Sequence, residues 1–165
     1  MVQFKLACNL NRTANRTHRV FVSIAFSPDG SVIATGDGTG TIILWDASTK
    51  RQIKRLTRHS EGIHKLVFSP NGQFLASGGY DKQSYLWHVL SGKSVKLNTN
   101  LYYVNDVVFH PSGNYLYITS ADYTLFCLDL KNNKSYRIKH KTDLTAMAIT
   151  MKAIFCTSEH MMVRF

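Results

Sequence analysis

Short apolar runs separated by polar turns follow one another along the chain, and no segment shows helical periodicity with caps. The runs Ile24–Phe26, Leu66–Phe68 and Val107–Phe109 are continuously apolar, which is typical of strands covered on both faces. The segment Ser135–Lys139 instead alternates between apolar and basic residues, as an exposed strand does. The pattern therefore predicts β-strands throughout, with the continuous runs as inner strands and the alternating segment as an outer strand.

A repeat organises these strands. The sequences FSPDG at Phe26–Gly30, FSPNG at Phe68–Gly72 and FHPSG at Phe109–Gly113 lie 42 and then 41 residues apart. A period of 40–45 residues is that of four-stranded propeller blades, each of which needs neighbours to bury its faces. The period thus predicts an all-β chain built from stacked sheets.

The fold class predicted is a partial β-propeller of about four four-stranded antiparallel blades, three complete and one split between the two termini. The last unit contains three apolar segments, Ala146–Ile149, Ala153–Thr157 and Met161–Phe165, without a segment for a fourth strand. We expect the whole chain to form one domain, with an outer strand at 2–7, blades at 18–57 and 59–98, a degenerate blade at 101–139 and a partial blade at 143–165.

The second unit carries the most diagnostic residues. Arg58-His59 is followed by Leu66–Gly72, Leu75–Gly79, Asp81 and Leu86-Trp87-His88. This succession resembles a WD repeat, and the likeness extends over almost the whole chain. The resemblance implies a hydrogen-bond relay that joins the loop before the first strand to the second strand, the next turn and the third strand, through His59, Ser77, Asp81 and Trp87.

The other units keep only part of this set. Unit one has Thr35 and Trp45 but carries Thr39 where the anchoring Asp is expected, so its relay is expected to be incomplete. Unit three has Asp122 but carries Ile118 at the Ser position, and we expect packing to hold it together. Because buried hydroxyl, imidazole and indole groups need partners, the His, Ser and Asp side chains are interpreted as a structural network and not as a catalytic triad.

The two ends leave two arrangements open. Closed rings of the family that the chain resembles usually carry seven blades, so the favoured hypothesis is a segment of a longer propeller. The alternative is a small closed ring in which Val2–Ala7 pairs with Met161–Phe165 to complete the last blade.

The composition of the chain is strongly basic. The formal net charge is +10 and the isoelectric point is near 9.7. Clusters at residues 50–58 and 131–141 fall on expected outer strands, where Lys and Arg prevent edge pairing, but they could equally contact RNA. The loop residues Arg12, Arg16 and Arg19 are the candidate RNA or acidic contacts.

Cofactor and membrane roles find no support in the sequence. The three cysteines Cys8, Cys127 and Cys156 form no CxxC pair, and the histidines form no metal-binding motif, so no metal, cofactor or small-molecule substrate is expected. A signal peptide or membrane span is also not indicated. The chain is expected to be intracellular, either cytoplasmic or nuclear and nucleolar.

The candidate partner-binding residues follow from the resemblance, which implies that the face carrying the relay turns is the usual binding side. Exposed tyrosines and cations suit an interface because they combine large area with a polar tip. On this chain that face would present Phe21, Glu61, Tyr80, Lys82, Tyr102, Tyr103 and Tyr123.

The function expected first is a non-catalytic scaffold for protein partners. The alternative is a component of an RNA-containing assembly, since Ala34–Asp37, Gly40–Trp45, Arg58–Ser60, Leu75–Gly79 and Leu90–Lys93 resemble WD-repeat subunits of the nucleolar small-subunit processome, which acts in ribosome biogenesis. An enzyme ranks third, because no spacing of polar residues indicates a catalytic pocket.

Overall fold

The computed structural model describes residues 21–97, 102–141, 144–149, 153–156 and 161–164. For Phe21 and for residues from 149 onward only the backbone is described. Within these ranges the chain forms 15 β-strands and no helix, arranged as four separate antiparallel sheets. The fold is therefore a partial β-propeller, and the predicted all-β class is confirmed.

Each sheet is one blade, and its strands follow one another in chain order. Blade 1 contains β1 (Phe21–Phe26), β2 (Val32–Asp37), β3 (Thr41–Asp46) and β4 (Gln52–Thr57). Blade 2 contains β5 (Ile63–Phe68), β6 (Phe74–Gly79), β7 (Ser84–His88) and β8 (Ser94–Leu97). Blade 3 contains β9 (Val104–Phe109), β10 (Tyr115–Ser120), β11 (Thr124–Asp129) and β12 (Lys134–Lys139), and blade 4 contains β13 (Met147–Ile149), β14 (Ala153–Cys156) and β15 (Met161–Arg164).

The repeated Pro-Gly turn connects the first two strands of each complete blade. In blade 1 the Ser27 hydroxyl donates to Asp29 at 2.6 Å and accepts from the Val32 amide at 2.9 Å. The glycine that closes the turn has a φ of +72° in blade 1, a left-handed conformation that glycine adopts without a steric cost. The same turn recurs in blades 2 and 3, which explains why this motif marks the period.

Apolar side chains fill the spaces between successive blades. One buried cluster joins Ala34 and Leu44 of blade 1 to Leu66 and Trp87 of blade 2. A second joins blades 2 and 3, and a third places Tyr117 of blade 3 against the chain at the start of blade 4. Each blade thus buries a face that it could not bury alone.

The first strand departs from the burial that its apolar run predicts. Ile24 and Phe26 are each 48% exposed, whereas Leu66 and Phe68, at the equivalent positions of β5, are buried. The reason is that, among the described residues, only blade 2 packs on blade 1, while blade 2 lies between two blades. The expectation of cover on both faces therefore fails for β1.

The three strands of blade 4 lie within one residue of the three apolar segments recognised in the sequence. The segment Val2–Ala7, which was expected to act as an outer strand, lies outside the described residues. Both arrangements of the chain ends, and the blade boundaries that depend on them, therefore stay predictions.

Candidate functional site

Blade 2 carries a continuous chain of buried side-chain hydrogen bonds. The indole Nε1 of Trp87 donates to Ser77 Oγ at 2.8 Å, and Ser77 Oγ lies 2.8 Å from Nε2 of His59. Nδ1 of His59 in turn lies 2.9 Å and 3.0 Å from the two carboxylate oxygens of Asp81. The structure therefore brings together the four residues His59, Ser77, Asp81 and Trp87 as one relay.

The donors and acceptors of this relay fix the proton positions. Because the indole of Trp87 can only donate, Ser77 Oγ accepts from it and gives its own hydrogen to Nε2 of His59. The carboxylate of Asp81 can only accept, so Nδ1 of His59 carries the hydrogen. Burial lowers the pKa of His59 below its ordinary value of 6.5, although the hydrogen bond to Asp81 and its negative charge oppose the shift. The relay holds a neutral imidazole.

Asp81 anchors the two loops at this end of the blade. Its oxygens accept from the Ser60 amide at 3.0 Å and from the Gln83 amide at 3.1 Å. The backbone of Gly79 passes so close that a Cβ there would stand 2.6 Å from Nδ1 of His59. A glycine is needed at this position because any side chain would separate His59 from Asp81.

The chemistry available to these residues is structural. The Ser77 side chain is fully buried, and both hydrogen-bonding directions of its hydroxyl are used inside the blade. A nucleophilic serine must instead approach a substrate atom. The relay joins the loop before β5 to the turn between β6 and β7.

Blade 1 contains a shorter version. The indole of Trp45 donates to Thr35 Oγ1 at 2.8 Å, as Trp87 does to Ser77. The turn is anchored by the buried carboxylate of Asp37, which accepts from Thr39 Oγ1 at 2.7 Å and from the Thr41 amide at 3.0 Å. Sequence reasoning missed Asp37 because it placed the anchoring position at Thr39, two residues later. An Asp at the end of an apolar strand was the available signal.

Blade 3 replaces the relay by apolar packing. Asp122 accepts from the Thr124 amide at 3.2 Å. Ile118 and Leu128, which stand at the Ser and Trp positions, are both buried in the cluster between blades 2 and 3. These two apolar side chains therefore cannot form the hydrogen bonds that Ser77 and Trp87 form in blade 2.

A buried carboxylate on β9 joins three blades. Asp106 Oδ1 lies 2.9 Å from Nζ of Lys65 on β5, and Asp106 Oδ2 accepts from the Met147 amide on β13 at 2.8 Å. Oδ1 also accepts from the Val107 amide at 2.9 Å. Sequence reasoning missed this residue, although a charge inside an apolar strand requires a partner.

Tyrosine rings cover the face on which the relay turns lie. Tyr80 packs against Tyr103 with ring centroids 6.0 Å apart, and Nζ of Lys82 stands 5.7 Å from the ring centroid of Tyr102. Tyr80, Tyr102, Tyr103 and Tyr123 are 42–55% exposed. We call this set, with Lys82, the tyrosine face.

The remaining predicted contact residues are placed less closely together. Glu61 is exposed in the loop before β5, where the neighbouring Gly62 carbonyl accepts from the Tyr80 amide at 3.0 Å. The backbone of Phe21 pairs with Asp37 in blade 1. Arg12, Arg16 and Arg19 lie outside the described residues, so their expected contact with RNA or an acidic partner stays a prediction.

Basic residues follow two sheet edges. β4 and β12 are edge strands, and β12 is exposed along all six residues, including Lys134, Arg137 and Lys139. This placement fits protection of an open edge. It also puts these cations at a surface that a partner can reach.

Metal-binding clusters and membrane-spanning helices are both absent from the described part of the chain. No group of three or more His, Cys, Asp or Glu side chains there could hold a metal ion. Nor do those residues contain a helix long and apolar enough to cross a membrane.

A known family matches most of the chain. The profile of the family described as WD domain, G-beta repeat matches residues 10–46, 50–88 and 93–129. Each match ends where the third strand of a blade ends, and the second match begins before β4 of the preceding blade. The sequence repeat and the sheet therefore begin at different strands, and the second and third matches each include the last strand of one blade and the first three strands of the next.

Curated relatives are similar over much of this chain. A chromatin assembly factor 1 subunit of Gallus gallus is 27% identical over 70% of the chain, and Pre-mRNA-processing factor 19 homolog 2 of Arabidopsis thaliana is 29% identical over 64%. Periodic tryptophan protein 2 of Arabidopsis thaliana is 32% identical over 72%. The chain spans 24%, 20% and 13% of the lengths of these three proteins.

Proposed function

The chain belongs to the WD-repeat family, and from that premise we propose that it is a non-catalytic scaffold that binds protein partners in an intracellular complex through its tyrosine face. The observation that carries the proposal is the exposed aromatic pair of Tyr80 and Tyr103, with Lys82 over the ring of the adjacent Tyr102. Large half-exposed aromatic side chains beside a cation are typical of the residues that dominate binding energy at protein interfaces.

The loops beneath the tyrosines support this proposal because they are held in place before any partner binds. The Ser120 hydroxyl lies 3.2 Å and 3.3 Å from the Tyr102 and Tyr103 carbonyl oxygens, which it can bond as a donor. Asp81 fixes the turn that contains Tyr80 and Lys82. A surface that is ordered in advance loses less conformational entropy on binding.

The relatives support the same class of function. Their names describe a subunit of a chromatin assembly factor and a pre-mRNA-processing factor, which are proteins that act with others. By analogy, we place this chain in an assembly inside the cell, either cytoplasmic or nuclear.

Removing the aromatic pair tests the proposal. We expect a Tyr80→Ser/Tyr103→Ser variant of the intact protein, purified by affinity from its own cells, to recover its partners at least about tenfold less well, since central aromatic anchors contribute roughly 1–4 kcal/mol each. Recovery is measured by quantitative mass spectrometry. Both side chains are exposed, so the thermal midpoint should change little.

The matched control is Tyr136→Ser, which removes an exposed tyrosine from the outer strand β12. It should recover partners as the unmodified protein does. Equal loss in the control, or undiminished recovery with the double variant, would contradict binding through the tyrosine face.

A second candidate function is membership of an RNA-containing assembly, such as the small-subunit processome in ribosome biogenesis. The net charge of +10 and the exposed cations of β12 favour it. Nuclease treatment before the same purification separates the two candidates. Partners held through RNA would be lost, and retention on RNA would fall steeply with salt, whereas partners of a protein scaffold remain.

A further inference from the structure

A groove lies at the blade 3 end of the tyrosine face. It has a volume of about 650 Å³ and is lined by Tyr102, Asp122, Tyr123, Thr124, Arg137 and Lys139. We propose that this groove binds an extended acidic segment of a partner protein, with acidic residues at alternate positions. The proposal rests on the proposed function and names the chemistry of the partner.

The spacing of the two cations is the first argument for an extended acidic segment. Lys139 pairs with Thr124 and Arg137 pairs with Phe126, so both side chains project from the same side of β12. Two residues of a strand span about 7 Å. An extended peptide repeats its own side chains at the same interval, so alternate Asp or Glu residues match Arg137 and Lys139 in register.

The tyrosines that line the groove are the second argument for a bound peptide. Tyr102 and Tyr123 also line the groove, and both are about half exposed. The Tyr123 carbonyl accepts from the His140 amide at 2.7 Å, which fixes the turn next to the end of β12. A peptide bound here would place its remaining side chains against aromatic rings while its acidic side chains reach the cations.

The third step favours a peptide over single-stranded RNA. Asp122 also lines the groove, where its carboxylate would repel phosphates and carboxylates alike but could accept hydrogen bonds from the backbone amides of a peptide, donors that a nucleic-acid backbone lacks. The mixed charge of the groove fits a chain that offers both donors and carboxylates.

Photo-crosslinking in the native cell tests this assignment. The intact protein carries p-benzoylphenylalanine in place of Tyr123, and the captured peptides are sequenced by mass spectrometry. We expect captured protein segments to contain Asp or Glu at alternate positions. A second protein with the probe in place of Tyr136, on the other side of β12, should not capture these segments.

Charge reversal provides the matched variant. With the probe at Tyr123, Lys139→Glu should lower the yield of the acidic segments at least about fivefold, because it places like charges together. Lys131→Glu, in the exposed turn at the other end of β12, should leave the yield unchanged. Thermal melts of both variants verify that the blade is folded.

The outcomes separate the two proposals. Protein segments without an acidic pattern, or a yield unaffected by Lys139→Glu, would overturn the acidic-segment proposal while leaving the scaffold function standing. Capture of RNA alone at Tyr123 would overturn the acidic-segment proposal and favour the RNA-containing assembly. Capture of nothing at Tyr123, together with unchanged partner recovery by the Tyr80→Ser/Tyr103→Ser variant, would overturn both proposals.

Discussion

Replacement of Trp87 by alanine is expected to lower the free energy of unfolding by about 3–5 kcal/mol, the range for a buried tryptophan truncated to alanine. The indole is 2% exposed and packs in the cluster between blades 1 and 2. The change leaves a cavity there and removes the donor to Ser77. Chemical denaturation followed by circular dichroism measures the loss.

Two further variants separate the cavity from the hydrogen bond. Trp87→Phe removes the N–H donor but keeps most of the ring volume, so it should cost about 1–2 kcal/mol. Tyr136→Ala, at an exposed position, should stay within about 0.5 kcal/mol of the unmodified protein. If Trp87→Ala unfolds at the same denaturant concentration as Tyr136→Ala, the relay does not support blade 2.

The second large effect is expected at Asp106. Asp106→Ala should destabilise the protein by about 2–4 kcal/mol, because the buried amides of Met147 and Val107 lose their acceptor. It should also accelerate hydrogen exchange of the β13 amides at least about tenfold, since the Met147 amide loses its hydrogen bond to blade 3. Chemical denaturation measures the loss of stability, and mass spectrometry follows the exchange.

The ion pair with Lys65 contributes little to this effect. The Lys65 side chain is 42% exposed, so solvent screens its attraction to Asp106. Lys65→Met leaves the Asp106 carboxylate its two amide donors, so it should cost less than Asp106→Ala and leave β13 exchange unchanged. Equal effects of the two substitutions would show that the charge pair, and not the amide contacts, joins the blades.

The fold was predictable because its signals are local and repeated. The Pro-Gly turn recurs at a fixed period, and each copy makes the same backbone hydrogen bond from its second residue to a carbonyl five residues later. The alternation in Ser135–Lys139 likewise predicts an exposed outer strand, and β12 is the exposed edge strand of blade 3. The exposure of Ile24 could not be predicted from its apolar run, because it depends on whether a neighbouring blade covers β1.

The residues of the candidate site could be predicted only in part from the sequence. The positions of His59, Ser77, Asp81 and Trp87 follow a known motif, so their proximity could be anticipated. Asp106 could not be assigned a role, because its partners lie on β5 and β13, 41 residues away in either direction from β9. Contacts between blades depend on packing geometry that no single repeat contains.

The tyrosine face was also predictable only in part. The sequence places Tyr80, Tyr102 and Tyr103 in loops at one end of the blades. Only the structure shows that Tyr80 packs on Tyr103 and that Lys82 reaches Tyr102. Rigid strands bring these loops together, which is how a fold with little chemistry of its own presents a binding surface.

The most direct test of the central claim is a hydrogen-exchange footprint of the intact protein alone and in its purified native complex. Binding through the tyrosine face predicts slower exchange in the loops at 58–62, 79–83, 102–103 and 121–123 when the partner is present. The Pro-Gly turns at 28–31, 70–73 and 111–114 should exchange as before. Protection of those turns, with no change in the four loops, would contradict the claim.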